Sequence, residues 1–117
     1  MTLADDVYAV VRLVPRGRVV CYGDLAELFG VGPRMVGRVM AGLDEPDVPW
    51  WRVVRADGGM DPHVIEQARE HWLAEGIATT DRGVRIRLHH ADLAQLADAA
   101  ERLLGPLPGA GDVAPVF

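Results

Sequence analysis

Lysine is absent from this sequence, and cysteine occurs only once. The single thiol, Cys21, cannot form an intramolecular disulfide, and no Cys/His cluster surrounds it, so neither a disulfide framework nor a structural zinc site is implied. No apolar run approaches the roughly 20 residues needed to cross a bilayer. The acidic start at Asp5 and Asp6 lacks the basic and apolar regions of a signal peptide. We therefore expect a cytoplasmic protein with no membrane association.

The sequence also lacks an excess of positive charge, since its net charge is -5. All twelve basic residues are arginine. Nucleic-acid-binding proteins usually present a basic face, so any contact with DNA has to be local. Arginine offers the planar, bidentate geometry that phosphates and guanine edges favour. The 117 residues, half of them hydrophobic, are enough for one domain with a modest core.

The first forty residues show helical patterns with clear ends. Thr2 and Asp5 resemble a capping box before an apolar repeat that predicts a helix over residues 3–14. The β-branched stretch 18–21 predicts a short extended segment, and Cys21 is expected to be a small buried residue without reactivity.

A helix-turn-helix candidate follows. A short helix begins at Tyr22 and is expected to stop at Gly30, and Pro33 is suited to the first turn of a second helix that ends near Gly42. Two short helices joined by a glycine-containing turn are typical of this DNA-binding motif, although many globular domains pack two helices in the same way. Arg34 and Arg38 would share one face of the second helix, as groove contacts or as solvated side chains.

The segment Val48–Val54 is the most unusual stretch, because Trp50 and Trp51 are adjacent. Tryptophan is costly to leave without a core or a ligand to cover it. From the residue pattern alone, the pair is either part of the core or divided between the core and a pocket. A turn over residues 56–59 comes next.

The second half of the chain predicts a helix over 62–75 with Trp72 and Leu73 pointing inward, and a strand over 84–88. A last amphipathic helix is expected over about 91–104, followed by a loose tail over 105–117. His63 and His71 look like ordinary surface or flanking residues. His89 and His90 near Asp92 do not predict a metal site, because adjacent strand residues point to opposite faces.

Several segments occur in the order found in the C-terminal domain of the 6-O-alkylguanine-DNA alkyltransferases, which the sequence resembles over roughly residues 3–77. They are Val7–Val11, Val14–Gly17, Val20–Ala26, Arg34–Met40, Val48–Val54 and Gly58–Gly59. The resemblance implies a mainly α fold with a little β, a winged-helix-like DNA-binding domain containing the helix-turn-helix. We expect this domain over 1–83, a C-terminal strand and helix packed on it over 84–104, and a flexible tail over 105–117.

The resemblance also bears on catalysis. In those enzymes the motif is Pro-Cys-His-Arg-Val, with a nucleophilic cysteine and a histidine that helps to form the thiolate, whereas this chain reads Pro49-Trp50-Trp51-Arg52-Val53. An indole offers neither a nucleophile nor a base. A tryptophan at the cysteine position is similar to the alkyltransferase-like proteins, which are non-enzymatic. Trp51 departs from them as well, because their motif keeps the histidine.

The resemblance then implies the site residues. Tyr22, Arg34, Met35 and Arg38 are expected to contact DNA. Arg34 would fill the space left by the flipped nucleotide, and Tyr22 would crowd the neighbouring phosphate. The lesion pocket is expected to comprise Trp50, Trp51, Val53, Gly58, Gly59 and Met60. The expected partners of a monomer are double-stranded DNA with an alkylated guanine and the nucleotide excision repair proteins, with no metal or cofactor.

Two other functions fit the same sequence. A helix-turn-helix transcription regulator would explain Arg34 and Arg38, but it would read a sequence through the major groove rather than a lesion. A protein-binding relative that has lost DNA recognition would fit the acidic net charge. Tyr22 and Arg34 at matching positions argue against the second alternative.

Overall fold

The first helix begins where its cap is complete. In the computed structural model, which describes residues 2–111, Thr2 Oγ1 accepts a hydrogen bond from the Asp5 N–H at 3.1 Å, and Asp5 Oδ2 accepts from the Thr2 N–H at 3.2 Å. This reciprocal capping box satisfies two N–H groups that the helix itself leaves unpaired. The helix is α1, Leu3–Leu13, and its buried side includes Val7, Val10 and Val11.

The remaining elements alternate short helices with two very short strands. In chain order they are β1 Val20–Cys21, α2 Tyr22–Phe29, α3 Pro33–Ala41, a 3-10 turn Trp50–Arg52, β2 Val53–Val54, α4 Ile65–Ala74, α5 Ile86–His89, α6 Leu93–Leu104 and α7 Pro108–Gly111. β1 and β2 pair in parallel, with Val20 opposite Val53 and Cys21 opposite Val54. The expected class, mainly helical with a small sheet, is confirmed.

The small sheet lies between two hydrophobic clusters. Val20 and Val53 belong to the larger cluster, which α1, α2, α3 and α6 surround. Val19 and Val54 belong to a smaller cluster built around Trp72 of α4. Because successive residues of an extended chain point to opposite faces, Val53 and Val54 of β2, and Val20 of β1 with the preceding Val19, contact one cluster each.

The C-terminal part of the chain departs from the sequence expectation. The alternating stretch predicted as a strand over 84–88 instead contains α5, because Leu88 is 62% exposed and its N–H closes a turn onto the Arg85 carbonyl. Val84 keeps only an isolated bridge to Thr79. The alternation therefore does not correspond to a buried strand face.

Helix α4 and the chain end also differ from expectation. Leu73, expected to point inward, is 67% exposed, since Ala68 and Trp72 set the buried side of α4 four residues apart. In the segment expected to be a loose tail, Leu107 is buried in the larger cluster and α7 packs against α2. The rest of that predicted tail, 112–117, lies outside the described residues.

Candidate nucleic-acid interface

The angle between α2 and α3 is set by a glycine and a proline. Gly30 has a φ of 63°, the left-handed conformation that ends α2, and its N–H bonds back to the carbonyls of Ala26 and Glu27. Three residues later, Pro33 occupies the first turn of α3, where its missing N–H costs nothing. The helix-turn-helix predicted from the sequence is therefore present.

Helix α3 presents an exposed, positively charged face. Arg34 and Arg38 are exposed, Met35 is 40% exposed, and Val36 is fully buried as the anchor on the opposite side. The helix contains no acidic residue, and none of the ion pairs among residues 2–111 involves either arginine. In a protein of net charge -5, this face offers free guanidinium groups to an external anion.

A cleft of about 690 Å³ runs along α3. Its lining residues come from α2, from α3 and the loop after it, from the 3-10 turn, and from the segment between β2 and α4. They are Tyr22, Pro33, Arg34, Gly37, Met40, Ala41, Leu43, Trp50, Arg55, Met60, Asp61 and Val64. The wall is mostly apolar, with two arginines, one carboxylate and one phenol as its polar groups.

The structure brings four of the sequence-predicted site residues together in this cleft, namely Tyr22, Arg34, Trp50 and Met60. Met35 and Arg38 lie on the exposed face of α3 but do not line the cleft. The other four predicted pocket residues, Trp51, Val53, Gly58 and Gly59, lie elsewhere, for the separate reasons given below.

Trp51 turns away from the cleft into a polar network. Its indole N–H donates to Glu75 Oε2 at 2.7 Å, and its ring stacks on His71, with the centroids 3.6 Å apart and the planes 6° from parallel. The sequence alone predicts His71 to be an ordinary surface or flanking residue, and this stacking contact departs from that expectation. Trp51 therefore lies outside this cleft, because His71 of α4 and Glu75, the residue directly after that helix, hold its ring there.

Glu75 is the centre of that network, with a side chain only 2% exposed. It accepts from Arg52 Nε at 3.0 Å, from Arg52 Nη2 at 2.9 Å and from the Gly17 N–H at 2.9 Å, in addition to Trp51. Burial alone would raise the pKa of Glu75, but the hydrogen bonds from Arg52, Gly17 and Trp51 outweigh burial, so its pKa is lowered. The carboxylate thus stays ionised and fixes the Trp-Trp-Arg segment.

Val53 and the two glycines have internal roles. Val53 is fully buried in the larger cluster, so no ligand in the cleft can reach it. Gly58 has a φ of 86°, and a Cβ there would lie 2.2 Å from the Val84 carbonyl oxygen. At Gly59 a Cβ would lie 2.9 Å from Asp57 Oδ1. The close approach that requires Gly58 is therefore within the chain, and the nearest atom at Gly59 also belongs to the chain and not to a ligand in the cleft.

Trp50 is half-buried at the cleft wall. Its ring meets Trp51 edge to face, with centroids 5.8 Å apart, and meets His71 in the same way at 5.9 Å. Such contacts hold an indole without covering its remaining surface. The Trp51–His71 stack therefore fixes the orientation of the one indole that lines the cleft.

Eight lining residues are not among those that the sequence predicts, namely Pro33, Gly37, Met40, Ala41, Leu43, Arg55, Asp61 and Val64. Only Arg55 carried a usable signal, because it directly follows the Trp-Trp-Arg-Val-Val stretch as an isolated cation. Asp61 and Val64 reach the cleft through the turn before α4, and no pattern in the sequence indicates its direction.

Two groups near the cleft, the Tyr22 phenol and the Cys21 thiol, have raised pKa values. Burial raises the pKa of the Tyr22 phenol, against a smaller lowering effect from Arg55 and with a further raising effect from Asp61. Burial likewise raises the pKa of the half-buried Cys21 thiol. Both groups therefore keep their protons near neutral pH, so Tyr22 can donate a hydrogen bond and Cys21 is a poor nucleophile.

Residues 2–111 contain no group of three or more His, Cys, Asp or Glu side chains placed to hold a metal ion. His89 Nε2 accepts from the Ala78 N–H at 2.9 Å, and His90 Nε2 lies 2.7 Å from Asp24 Oδ2. In the same part of the chain, no helix is long and apolar enough to span a membrane.

Known proteins resemble this chain over the region that forms the cleft. The family described as "6-O-methylguanine DNA methyltransferase, DNA binding domain" matches residues 2–77. A DNA base-flipping protein of Vibrio parahaemolyticus is 29% identical over 83 residues, which are 67% of this chain and 83% of that protein. A DNA base-flipping protein of Escherichia coli is 35% identical over 82 residues, which are 66% of this chain and 64% of that protein.

A solved structure agrees with these sequence matches. The crystal structure of S. pombe Atl1 in complex with damaged DNA containing O6-carboxymethylguanine superimposes with a TM-score of 0.68 at 25% identity. The match covers 79% of this chain and 99% of the Atl1 chain. The chain therefore belongs to the family of the 6-O-methylguanine DNA methyltransferase DNA-binding domain, as one of its alkyltransferase-like members.

Proposed function

We propose that this protein binds 6-O-alkylguanine in duplex DNA by flipping the damaged nucleotide into the cleft along α3, and that it leaves the alkyl group in place. The observation that carries the proposal is the cleft itself, because Tyr22, Arg34 and Trp50 line it together beside the exposed arginine face of α3. A fold alone does not indicate which ligand a protein binds, whereas this arrangement of side chains supports the binding of a flipped nucleotide.

The cleft suits a nucleobase in size and chemistry. Its volume of about 690 Å³ falls in the range of roughly 300–1,000 Å³ typical of small-ligand sites, and an apolar wall with a few polar groups is equally typical. The Trp50 ring offers a surface for a flipped base, and such contacts contribute about 1–3 kcal/mol per base. An alkylated guanine pairs poorly, so it costs less to extract than an undamaged guanine.

Arg34 is the residue we propose to enter the DNA stack. It is exposed on the first turn of α3 and it also lines the cleft, so it lies between the groove-facing side of the helix and the pocket. Its guanidinium can stack on bases and donate hydrogen bonds in the space that the flipped nucleotide leaves. The relatives named DNA base-flipping proteins, and Atl1 bound to damaged DNA, support this proposal.

Gly37 also supports a close approach of DNA. It lies inside α3, it lines the cleft, and a Cβ placed there would meet, apart from its chain neighbours and the backbone of its own helix, no atom of residues 2–111 within 4 Å. A glycine inside a helix costs roughly 0.5–1 kcal/mol relative to alanine. Because packing within the described chain does not require this glycine, we propose that the bound DNA backbone does.

The side chains at the proposed site support the proposal that no alkyl group is transferred. No thiol is among the residues found to line the cleft, Tyr22 keeps its proton, and an indole offers no lone pair to a saturated carbon. Cys21 is the only cysteine of the chain, and its raised pKa disfavours the thiolate. Trp50 and Trp51 occupy the positions that we assign, from the resemblance, to the catalytic cysteine and histidine of the enzymes.

A protein that binds an adduct without removing it leaves the adduct for another pathway. We therefore propose that the complex is handed to nucleotide excision repair proteins. Adding this protein to a purified excision nuclease should increase incision of a duplex with one 6-O-methylguanine and leave incision of the undamaged duplex unchanged. Equal incision of the lesion duplex with and without the protein would refute this step alone.

The central test compares two short duplexes that differ only in 6-O-methylguanine against guanine. We expect tighter binding to the lesion, weakened on the order of tenfold by Arg34→Ala because the stack is no longer filled. Arg102→Ala is the matched control, since Arg102 is exposed on α6, away from the cleft. Equal binding of the wild-type protein to both duplexes would contradict the proposal and favour a helix-turn-helix regulator.

A further inference from the structure

Arg55 is a cation on the cleft wall that neither the family resemblance nor the proposed flipping step uses. Its side chain is exposed and lines the cleft together with Tyr22. No side-chain hydrogen bond or ion pair of Arg55 occurs among residues 2–111, in contrast to Arg12, Arg16, Arg18, Arg52 and Arg69. Its guanidinium donors therefore have no partner in the described protein.

The backbone of Arg55 is nevertheless firmly held. Its N–H donates to the Gly59 carbonyl at 2.9 Å, and its carbonyl accepts from the Gly58 N–H at 2.8 Å, which closes the turn directly after β2. The neighbouring Val54 is fully buried in the smaller cluster. A free side chain on a fixed backbone can bind a ligand with little loss of conformational entropy beyond that of its own rotamers.

The position of Arg55 complements that of Arg34. Arg34 belongs to α3, whereas Arg55 follows β2, so the cleft receives a guanidinium from two different elements. Arg55 and Tyr22 line the same cleft, so the two side chains border one binding site. Tyr22 is the residue expected to crowd the phosphate next to the flipped nucleotide.

We infer that Arg55 is a further DNA-binding residue, and that its guanidinium binds a backbone phosphate of the flipped nucleotide beside Tyr22. This inference rests on the proposed function. Rotating a nucleotide into the cleft brings its phosphate toward the protein, and arginine binds phosphate oxygens through paired, charge-assisted hydrogen bonds.

Asp61 explains why a cation is needed at this place. Its carboxylate lines the same cleft, and Asp61 Oδ1 accepts from the His63 N–H at 2.9 Å, which fixes its orientation. A carboxylate near an incoming phosphate is repulsive. Arg55 counters that repulsion without forming an ion pair to Asp61, so its donors stay available for the phosphate.

The test pairs a change in the protein with a change in the DNA. Binding is measured for the wild-type protein, Arg55→Gln and Arg102→Gln with a duplex carrying 6-O-methylguanine. The same duplex is also made with one neutral methylphosphonate, placed either 5′ or 3′ of the lesion. Thermal unfolding of each variant checks that the fold is retained. Arg102→Gln removes the same charge far from the cleft and is expected to bind as the wild-type protein does.

For the wild-type protein, we expect one of the two methylphosphonates to weaken binding on the order of tenfold. Arg55→Gln should weaken binding to the ordinary backbone by a similar factor, and it should lose nothing more when that methylphosphonate is present. The slope of log Kd against log salt should also fall by about 1, the value for one phosphate contact.

Three results would overturn the inference. One is wild-type affinity in Arg55→Gln, and another is an undiminished methylphosphonate effect in that variant. The third comes from repeating the comparison on a matching duplex with O6-carboxymethylguanine: a loss confined to that duplex would mean that Arg55 binds the carboxylate of the adduct and not the backbone. Equal wild-type binding to lesion and undamaged duplexes would instead refute the proposed function, which keeps the two failures distinct.

Discussion

The network around Glu75 gives the sharpest prediction about stability. Its carboxylate is 2% exposed and accepts hydrogen bonds from Arg52, Trp51 and Gly17, so one side chain ties the Trp-Trp-Arg segment to α4 and to the turn after α1. Arg52 is itself only 14% exposed and also donates to the Val14 carbonyl at 3.0 Å. Removing Glu75 would therefore leave a nearly buried cation without its counter-ion.

The expected cost of Glu75→Ala is large. Breaking a buried ion pair by removing one partner destabilises proteins by about 3–5 kcal/mol. The total free energy of unfolding of a domain is about 5–15 kcal/mol, so the change should consume a considerable part of it. Glu75→Gln should cost less, because the amide oxygen can still accept one of the hydrogen bonds while the charge is lost.

Urea unfolding followed by tryptophan fluorescence measures this cost, with Asp47→Ala as the control. Asp47 pairs with Arg12 at 3.0 Å, but its side chain is 67% exposed, and exposed pairs of this kind contribute little to stability. We expect the midpoint to fall strongly for Glu75→Ala and slightly for Asp47→Ala. Equal small shifts for the two variants would refute the reasoning from burial.

Three other predictions follow from the same structure. The folded-state pKa of Glu75 is lowered from its ordinary value of 4.5, so its stabilisation is complete above that pH and is lost as the pH falls through the folded pKa. The free energy of unfolding should therefore fall by more for the wild-type protein than for Glu75→Gln when the pH is lowered from neutral, and equal losses in the two proteins would contradict this. Gly37→Ala should raise the free energy of unfolding by roughly 0.5–1 kcal/mol but weaken DNA binding, and unchanged affinity would show that DNA does not approach this position. Trp50→Ala should weaken binding to the lesion duplex by about 1–3 kcal/mol with little effect on undamaged DNA, whereas equal losses on both duplexes would place Trp50 outside the lesion pocket.

The elements whose signals are local in the sequence were predicted well. The Thr2 capping box and the Gly30 stop each depend on residues within one turn of the chain, and both are present. The helix-turn-helix with Arg34 exposed on its second helix follows from the same kind of signal. Local hydrogen bonding and backbone conformation determine these features, so the sequence is sufficient.

The features that depend on distant contacts were not predictable in the same way. Val53 and Val54 are both buried because β2 lies between two clusters. A strand of two residues is too short to show an alternation of apolar and polar residues in the sequence. Trp51 leaves the cleft because Glu75, 24 residues later in the chain, accepts its N–H. The spacing of residues in the sequence does not identify Glu75 as the partner of Trp51, since the packing of α4 against the Trp-Trp-Arg segment brings the two side chains together.

The most direct test of the account measures binding and chemistry in one sample. An excess of the wild-type protein is titrated onto a duplex with a single 6-O-methylguanine and onto the matching undamaged duplex. The lesion DNA is then digested to nucleosides, and the protein is weighed by mass spectrometry. The account predicts a lower Kd for the lesion duplex, full recovery of 6-O-methylguanine and an unchanged protein mass. Equal Kd values, or a protein heavier by one methyl group, would contradict it.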